Sequence, residues 1–434
     1  MNSELMNKFF ISFFCLFAVA IGLQAQNLTL DTCQQRAREN YPLIKQFDLI
    51  EKSEKYNVNN ANRNYLPQVS LSARATYQSD VTTIEIPQQL QAMLGMEKLG
   101  GMSKDQYQAV VDVQQVIWDG GYTTSQKKIS KAEAQVDRQN VEVELYAIKD
   151  RVNQLFFGIL LLDEQEMQLK MLQEELRSNH ERVESYIKNG VANQADLDAL
   201  KVEQLNINQN LIELKSARKS YLYMLSALTE ITISENTTLI KPEIAFSAIN
   251  NVDNNRPELK LFEAQSAVLD SRRNIVNAGN MPQLGLFVQA GYGKPGLNML
   301  RDDFVPFYIG GVSLKWNLSN LYTTNDNIRK IETGQRVLEV QKETFLFNMN
   351  MLTEQQRNEV EKLQQLIADD DEIIRLRENI KRSSMVKLEN GTLTVTDLIR
   401  DINAENTARQ TKAVHEIKLL LSVYNYKNIQ NTAP

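Results

Sequence analysis

Two hydrophobic periods divide this chain. In the first, apolar side chains recur at every second position: Val69, Leu71, Ala73, Ala75 and Tyr77 alternate with Ser70, Ser72, Arg74 and Thr76, and Ala109, Val111, Val113 and Ile117 stand opposite Gln108, Asp112 and Gln114. Farther along, Leu284, Leu286, Val288, Ala290 and Tyr292 alternate with Gly285, Phe287, Gln289, Gly291 and Gly293. Tyr308, Val312, Leu314, Trp316 and Leu318 then alternate with Ile309, Gly311, Ser313, Lys315 and Asn317. A period of two sends neighbouring side chains to opposite faces of a strand. Four strands are therefore expected, at about 66–77, 107–118, 282–292 and 307–318, each with one apolar face. The pattern suits tilted strands crossing an outer membrane, with Tyr77, Tyr292, Tyr308 and Trp316 available as interfacial girdles. It equally suits a soluble sandwich with one buried face. Strand number bears on the choice, because four strands cannot close a barrel and open edges are not tolerated in hydrocarbon. A membrane reading thus requires several chains, and three would supply an even set of about twelve strands.

The second period is near 3.5. Stepping by 4 and 3 from Val141 gives Leu145, Ile148, Val152, Leu155, Ile159, Leu162, Glu166, Leu169, Gln173 and Leu176, nine of the eleven being apolar. That is the signature of a coiled-coil seam. Prolines are absent from 88–241 and from 307–433, so helices far longer than ordinary globular ones are expected. The span Asp119 to Asn189 alone would reach about 105 Å at 1.5 Å per residue. Gly190 is placed to reverse the chain, and a return helix follows from Asp196 and Leu197 to about Leu228. Leading helices are expected over 28–63 and 254–280.

These elements occur twice. At a fixed shift of 201 residues Val136 pairs with Val337, Leu145 with Leu346, Asn189-Gly190 with Asn390-Gly391, Asp196-Leu197 with Asp397-Leu398, and Tyr223 with Tyr424. The second unit so has its own long helix, a turn at Gly391 and a return helix from Asp397 to about Asn428. Lys8 followed by the apolar run Phe9 to Leu23 and by Leu23-Gln24-Ala25 reads as a leader, too short to span a bilayer. The expected organisation is a signal peptide over 1–25, a first repeat over 26–228, a linking segment over 229–253 and a second repeat over 254–434.

Composition narrows the function. A net charge of −6 leaves no basic excess for a nucleic-acid partner. Two cysteines and two histidines leave little for a metal centre or a disulfide framework. Cys33 reads as an inert helical cysteine, and Cys15, which follows Phe14, lacks the small residue that lipoprotein processing needs. His180 and His415 read as surface residues, and Asp369-Asp370-Asp371-Glu372 as a solvated helix face. No phosphate-binding loop or nucleophile elbow is present, so neither catalysis nor a cofactor is expected.

The duplicated helix–strand–strand–helix–helix unit, Tyr65-Leu66-Pro67 and Met281-Pro282 at helix-to-strand transitions, Ile117-Trp118-Asp119-Gly120-Gly121 at a strand exit, and glycine followed six residues later by aspartate at both turns resemble the TolC-like outer membrane efflux proteins. The resemblance covers nearly the whole chain after the leader. It implies a mainly α protein with a membrane β-barrel: a homotrimer whose twelve-stranded barrel sits in outer membrane lipid and continues as an α-helical periplasmic tunnel. It implies export of small molecules received from an inner-membrane transporter and a periplasmic adaptor, or membrane fusion, protein. Export of polypeptides in a type I secretion system, and a periplasmic coiled-coil scaffold without a pore, are the alternatives. By the same resemblance the periplasmic tip and adaptor-docking edge correspond to Gly190, Val191, Asp196 and Leu197, and to Gly391, Thr392, Asp397 and Leu398. Candidate gate residues are Asp196, Leu388, Leu393, Asp397 and Arg400. Leucines at 388 and 393 stand where the best-studied relative has a tyrosine and an arginine, and Ser319-Asn320-Leu321 replaces Asp-Gly-Gly in the second repeat. Asp196 and Asp397 read equally as ordinary helix caps.

Overall fold

The computed structural model describes residues 28–431 except 83, 88, 90, 92, 94, 96, 97, 100, 101, 189, 191 and 244–254. The expected leader, Val191 and nearly half of the linking segment lie outside the described residues. Among the described residues, the helices are α1 (Leu30–Asn40), α2 (Gln46–Asn62), α3 (Tyr122–Lys188), α4 (Gln194–Thr229), α5 (Pro257–Gly279), α6 (Asn320–Glu389) and α7 (Val395–Gln430). The strands are β1 (Gln68–Tyr77), β2 (Ile84–Glu85), β3 (Lys98–Leu99), β4 (Asp105–Trp118), β5 (Gln283–Lys294) and β6 (Val305–Lys315). At 67 and 70 residues, α3 and α6 are about 100 Å long each. The chain divides into two compact units, and both long helices contribute to each.

The first unit comprises residues 46–140 and 258–343. Its centre is an antiparallel sheet in the order β1-β4-β5-β6. The register sets the apolar positions side by side: Val69 faces Val113 and Val113 faces Val288, while Leu71 faces Val111, Val111 faces Ala290 and Ala290 faces Tyr308. The bounds differ from the sequence expectation by one to three residues at several strand ends. β4 begins at Asp105 and β5 continues to Lys294, whereas β6 ends at Lys315 because the Trp316 indole N–H turns to the carbonyl of Asn280 at 3.0 Å. The loop after β1 carries the small hairpin β2-β3.

Two polar clamps hold the strand exits in this unit. Asp119, buried, accepts hydrogen bonds from the Tyr65 hydroxyl at 3.0 Å, from Gly121 N–H at 3.0 Å and from Thr123 N–H at 2.7 Å. Burial opposes its charge, but the hydrogen bonds from Thr123, Tyr65 and Gly121 outweigh it and hold the carboxyl below the usual range. Gly120 has φ +66° and leaves no room for a side chain, since a Cβ there would lie 2.3 Å from Met281 Cβ. In the second repeat the clamp is neutral: the Asn320 amide donates to Gly279 O at 2.7 Å.

The second unit comprises residues up to 45, 141–257 and 344–434. The expected helix over 28–63 is interrupted here. Pro42 forces Tyr41 into extended geometry (φ −61°, ψ 130°), so α1 stops at Asn40 and a 3-10 turn, Pro42–Lys45, intervenes before α2. Cys33 is fully buried, which pushes its thiol up to about 12 and keeps it inert. Residues 230–243 form no named strand, and Leu28 makes one parallel bridge with Leu239. Arg218 anchors this segment, bonding Asp163 at 2.5 Å and the carbonyls of Glu235 at 2.5 Å and Thr237 at 3.2 Å. The predicted seam of α3 is the core of the unit: seven of its eleven positions are buried and the other four half-buried.

Candidate functional site

Both hairpin turns are built by a left-handed glycine followed by a capped helix. Gly190 has φ +75° and Gly391 φ +68°, conformations that cost an L side chain about 1 kcal/mol or more. Gly190 N–H bonds Ile187 O at 3.0 Å, and Gly391 N–H bonds Leu388 O at 2.9 Å. Thr392 donates to Lys387 O through its N–H at 2.9 Å and its hydroxyl at 3.0 Å, closing the second turn.

The two aspartates begin the return helices. Asp196 forms a reciprocal capping box: its N–H donates to Asn193 Oδ1 at 3.2 Å and its carboxylate accepts from Asn193 N–H at 3.0 Å. Asp397 N–H donates to Thr394 Oγ1 at 3.1 Å, and the Thr394 hydroxyl donates to the Asp397 carboxylate at 2.7 Å. Arg400 lies 3.2 Å from that carboxylate. The Thr394 hydroxyl, then Arg400, hold the Asp397 carboxyl below its ordinary range. Within the chain both aspartates are thus engaged as caps.

Behind the turns lies an apolar core shared by α3, α4, α6 and α7, including Leu176, Val183, Leu200, Leu388, Val395 and Leu398. Leu388 is 8% exposed and Leu398 3%. Leu197 and Leu393 are half-buried against the same core. Of the candidate gate residues, Leu388 therefore packs within its own chain, whereas Leu393, Asp397 and Arg400 keep exposed surface at the second turn.

Sequence reasoning missed a charged layer farther along the second hairpin. Val360, Leu363, Ile367, Asp370, Lys381, Ser384 and Leu388 fall on one 3-and-4 seam of α6. Asp370 is buried and contacts His415 Nδ1 at 2.6 Å, which corrects the reading of both as solvent-facing. Asp371 pairs with Lys412 at 2.5 Å, and Ser384 donates to Asp401 at 2.6 Å. Lys381 pairs with Glu175 of α3 at 2.9 Å and with Glu405 of α7, while Arg409 reaches Glu405 at 2.8 Å and also Glu378. Glu405 is 4% exposed; burial raises its carboxyl, yet Lys381 and Arg409 bring it net below its ordinary range. For Lys381, desolvation lowers the ammonium, but bonds to Glu405 and Glu175 raise it overall. The available signal was the seam itself, which places Lys381 and Asp370 at core positions.

The strand faces form the other candidate surface. On the apolar face Leu71 is 77% and Leu314 71% exposed, and Val69, Val288, Tyr292 and Tyr308 are exposed beside them. Above this band Phe304 stacks between Tyr107 and Tyr292, with ring centroids 6.1 and 5.8 Å apart. Asp302 accepts from Ser103 N–H at 2.7 Å and its hydroxyl at 2.6 Å, tying the two strand-connecting loops together. Ser103 holds the Asp302 carboxyl below its usual range. Among the described residues no helix is long and apolar enough to cross a membrane, and no group of three metal-ligating side chains occurs.

A duplicated chain of long helical hairpins attached to a short four-stranded sheet defines a recognisable class. Residues 34–229, the first repeat, match the sequence model of the family described as outer membrane efflux protein. That match spans the first repeat, so this part of the chain carries the efflux-protein sequence pattern. Its fold is similar to the outer-membrane channel OprN, with a TM-score of 0.67 at 12% identity over 93% of this chain and 90% of that one. It is similar to the outer membrane protein VceC of Vibrio cholerae, with a TM-score of 0.63 at 13% identity over 92% and 95%. It is also similar to CusC, which forms a transmembrane channel, with a TM-score of 0.66 at 11% identity over 92% and 91%. At these identities the structures establish the fold alone, and the family match covers the first repeat. Comparison with curated proteins gives no match.

Proposed function

We propose that this chain forms a homotrimeric channel-tunnel in the outer membrane. Three copies would contribute four strands each to a twelve-stranded barrel. The hairpins would line a periplasmic tunnel that receives small molecules from an inner-membrane transporter through a periplasmic adaptor protein. The observation that carries the reading is the apolar face aligned across all four strands, exposed to solvent in the single chain and bounded by β1 and β6, each paired on one side only. Such a face needs lipid, and such edges need partner strands once they are in lipid. The helices agree, since α4 exposes Val202, Leu205 and Ile212 and α6 exposes Phe347, Ile373, Leu376 and Ile380. Family resemblance supplies the partners, because members act as trimers with adaptor proteins and inner-membrane pumps.

In this reading the segments Gly190 to Leu197 and Gly391 to Leu398 form the periplasmic entrance and the adaptor-docking edge. Asp196, Leu393, Asp397 and Arg400 surround the mouth, and Leu388 stiffens the turn from behind. Native mass spectrometry of the detergent-extracted protein tests the assembly. Three copies per particle, retained in the membrane pellet after alkaline extraction, are expected. A monomer released by alkali would overturn the proposal and favour a periplasmic scaffold.

A further inference from the structure

The polar face of the sheet carries few charges, and their placement is informative. By the register, the positions on this face at one level are Ser70, Asp112, Gln289 and Ile309. Among the described strand positions of the face, Asp112 is the one carboxylate; Arg74 and Lys315 stand at other levels, nearer the two ends of the strands. Two amides brace Asp112: Gln289 donates to one carboxylate oxygen at 2.9 Å and Gln114 approaches the other at 3.5 Å. Its partners are thus neutral donors. Amides orient a carboxylate without cancelling its charge, so the negative potential stays directed away from the sheet.

We infer that Asp112 is a selectivity element of the barrel lumen, favouring cationic solutes over anionic ones. The inference rests on the trimeric barrel proposed above. Three chains would set three such carboxylates at one level around the lumen, and a ring of carboxylates in a narrow pore raises the local concentration of cations and opposes anions. Phe287 faces Gln114 on the same polar face, one level from Asp112. A ring beside an anionic level suits organic cations that carry an apolar part.

The test reads local potential inside the barrel, so that closure at the periplasmic tips does not obscure it. Ser70 lies directly across from Asp112, with Cβ atoms about 5 Å apart in such a pair. A cysteine introduced by Ser70→Cys is titrated in the full-length trimer with a cationic and an anionic methanethiosulfonate reagent; Cys33 is buried and serves as an unreactive background. The cationic reagent should react faster, and Asp112→Asn should lower the cationic-to-anionic rate ratio about threefold to tenfold. Asparagine keeps an oxygen for the Gln289 amide, and trimers on gels confirm assembly. Asp112→Glu, which restores the charge, should restore the ratio, and Arg74→Gln should shift it the opposite way. A reactive cysteine whose ratio ignores Asp112→Asn overturns the selectivity role and leaves the channel standing. An unreactive cysteine at 70 beside a reactive one from Val69→Cys overturns the assignment of lumen and lipid faces, and with it both proposals.

Discussion

The two helical hairpins descend from one repeated pattern yet are held together differently. Between α3 and α4 the seam is mainly apolar: Leu169, Leu172, Leu176, Val183, Leu200, Ile207 and Leu211 lie in one core, which Leu388, Val395 and Leu398 of the second hairpin join behind the turns, and the Arg218–Asp163 pair lies farther along. Between α6 and α7 the same kind of seam carries Asp370 against His415, Lys381 against Glu405 and Ser384 against Asp401. Apolar seams stabilise without specifying much, because leucines accept neighbouring registers at little cost. Buried charge pairs add little net stability after desolvation, but each has one favourable register and loses it if the helices slide. The first hairpin is therefore built for cohesion, and the second for a defined but more easily perturbed alignment. Lys381 joins the two, because it also holds Glu175 of α3.

Removing a core leucine from the first hairpin should have the largest effect. Leu176, fully buried, replaced by Ala is expected to cost about 2 to 5 kcal/mol in denaturant unfolding. A loss as small as that of Ser384→Ala, about 1 kcal/mol for one hydrogen bond, would erase the distinction between the hairpins. Next in size is Lys381→Met. A wholly buried pair broken on one side costs more, but Arg409 still neutralises Glu405, so about 1 to 3 kcal/mol is expected. Hydrogen exchange should then rise in both hairpins, since Glu175 is released as well.

Acid and alkali sharpen the same contrast. The Glu405 carboxyl lies below its unfolded value, so its contribution is present above pH 4.5 and is lost as pH falls through the lowered folded pKa. Lys381 is raised above 10.5, so its contribution is complete below that pH and is lost as pH rises through the higher folded value. Exchange in α6 and α7 should therefore increase at both extremes, and in α3 beside Glu175 at the alkaline one, while α4 stays protected. Uniform loosening of all four helices would contradict this.

The smallest effects belong to the caps. Asn193→Ala and Thr394→Ala should each cost about 1 kcal/mol. The second should be slightly the worse, since Thr394 both accepts from Asp397 N–H and donates to its carboxylate. Thermal unfolding of the pair, measured side by side, checks the order.

The sequence disclosed the first hairpin more fully than the second for a physical reason. Nine of the eleven positions from Val141 to Leu176 are apolar on an alternating step of 4 and 3, so period alone exposes the seam. Asp370 looks like part of an acidic run because its partner, His415, is 45 residues away on another helix. The strand faces were legible for the same reason as the first seam: Leu71, Val111 and Leu286 obey a strict alternation. The break at Pro42 is signalled by the proline itself, although the apolar pattern alone predicts one helix over 28–63. Asp196 and Asp397 were legible as cap residues from their position at a helix start, but what Leu388 touches depends on four helices meeting, which no local pattern records.

The pairing of β4 with β5 has a consequence for biogenesis. This ladder joins the two repeats, and the bond between Asp112 and Gln289 spans 177 residues of sequence. Closing a loop of that size carries an entropy cost that local contacts cannot defray beforehand, and long-range strand pairing is intrinsically slow. The sheet cannot be completed on a nascent first repeat, however well its own hairpin forms. Helices α3 and α4 can therefore assemble early, while β1 and β4 wait with an exposed edge for the second half of the chain.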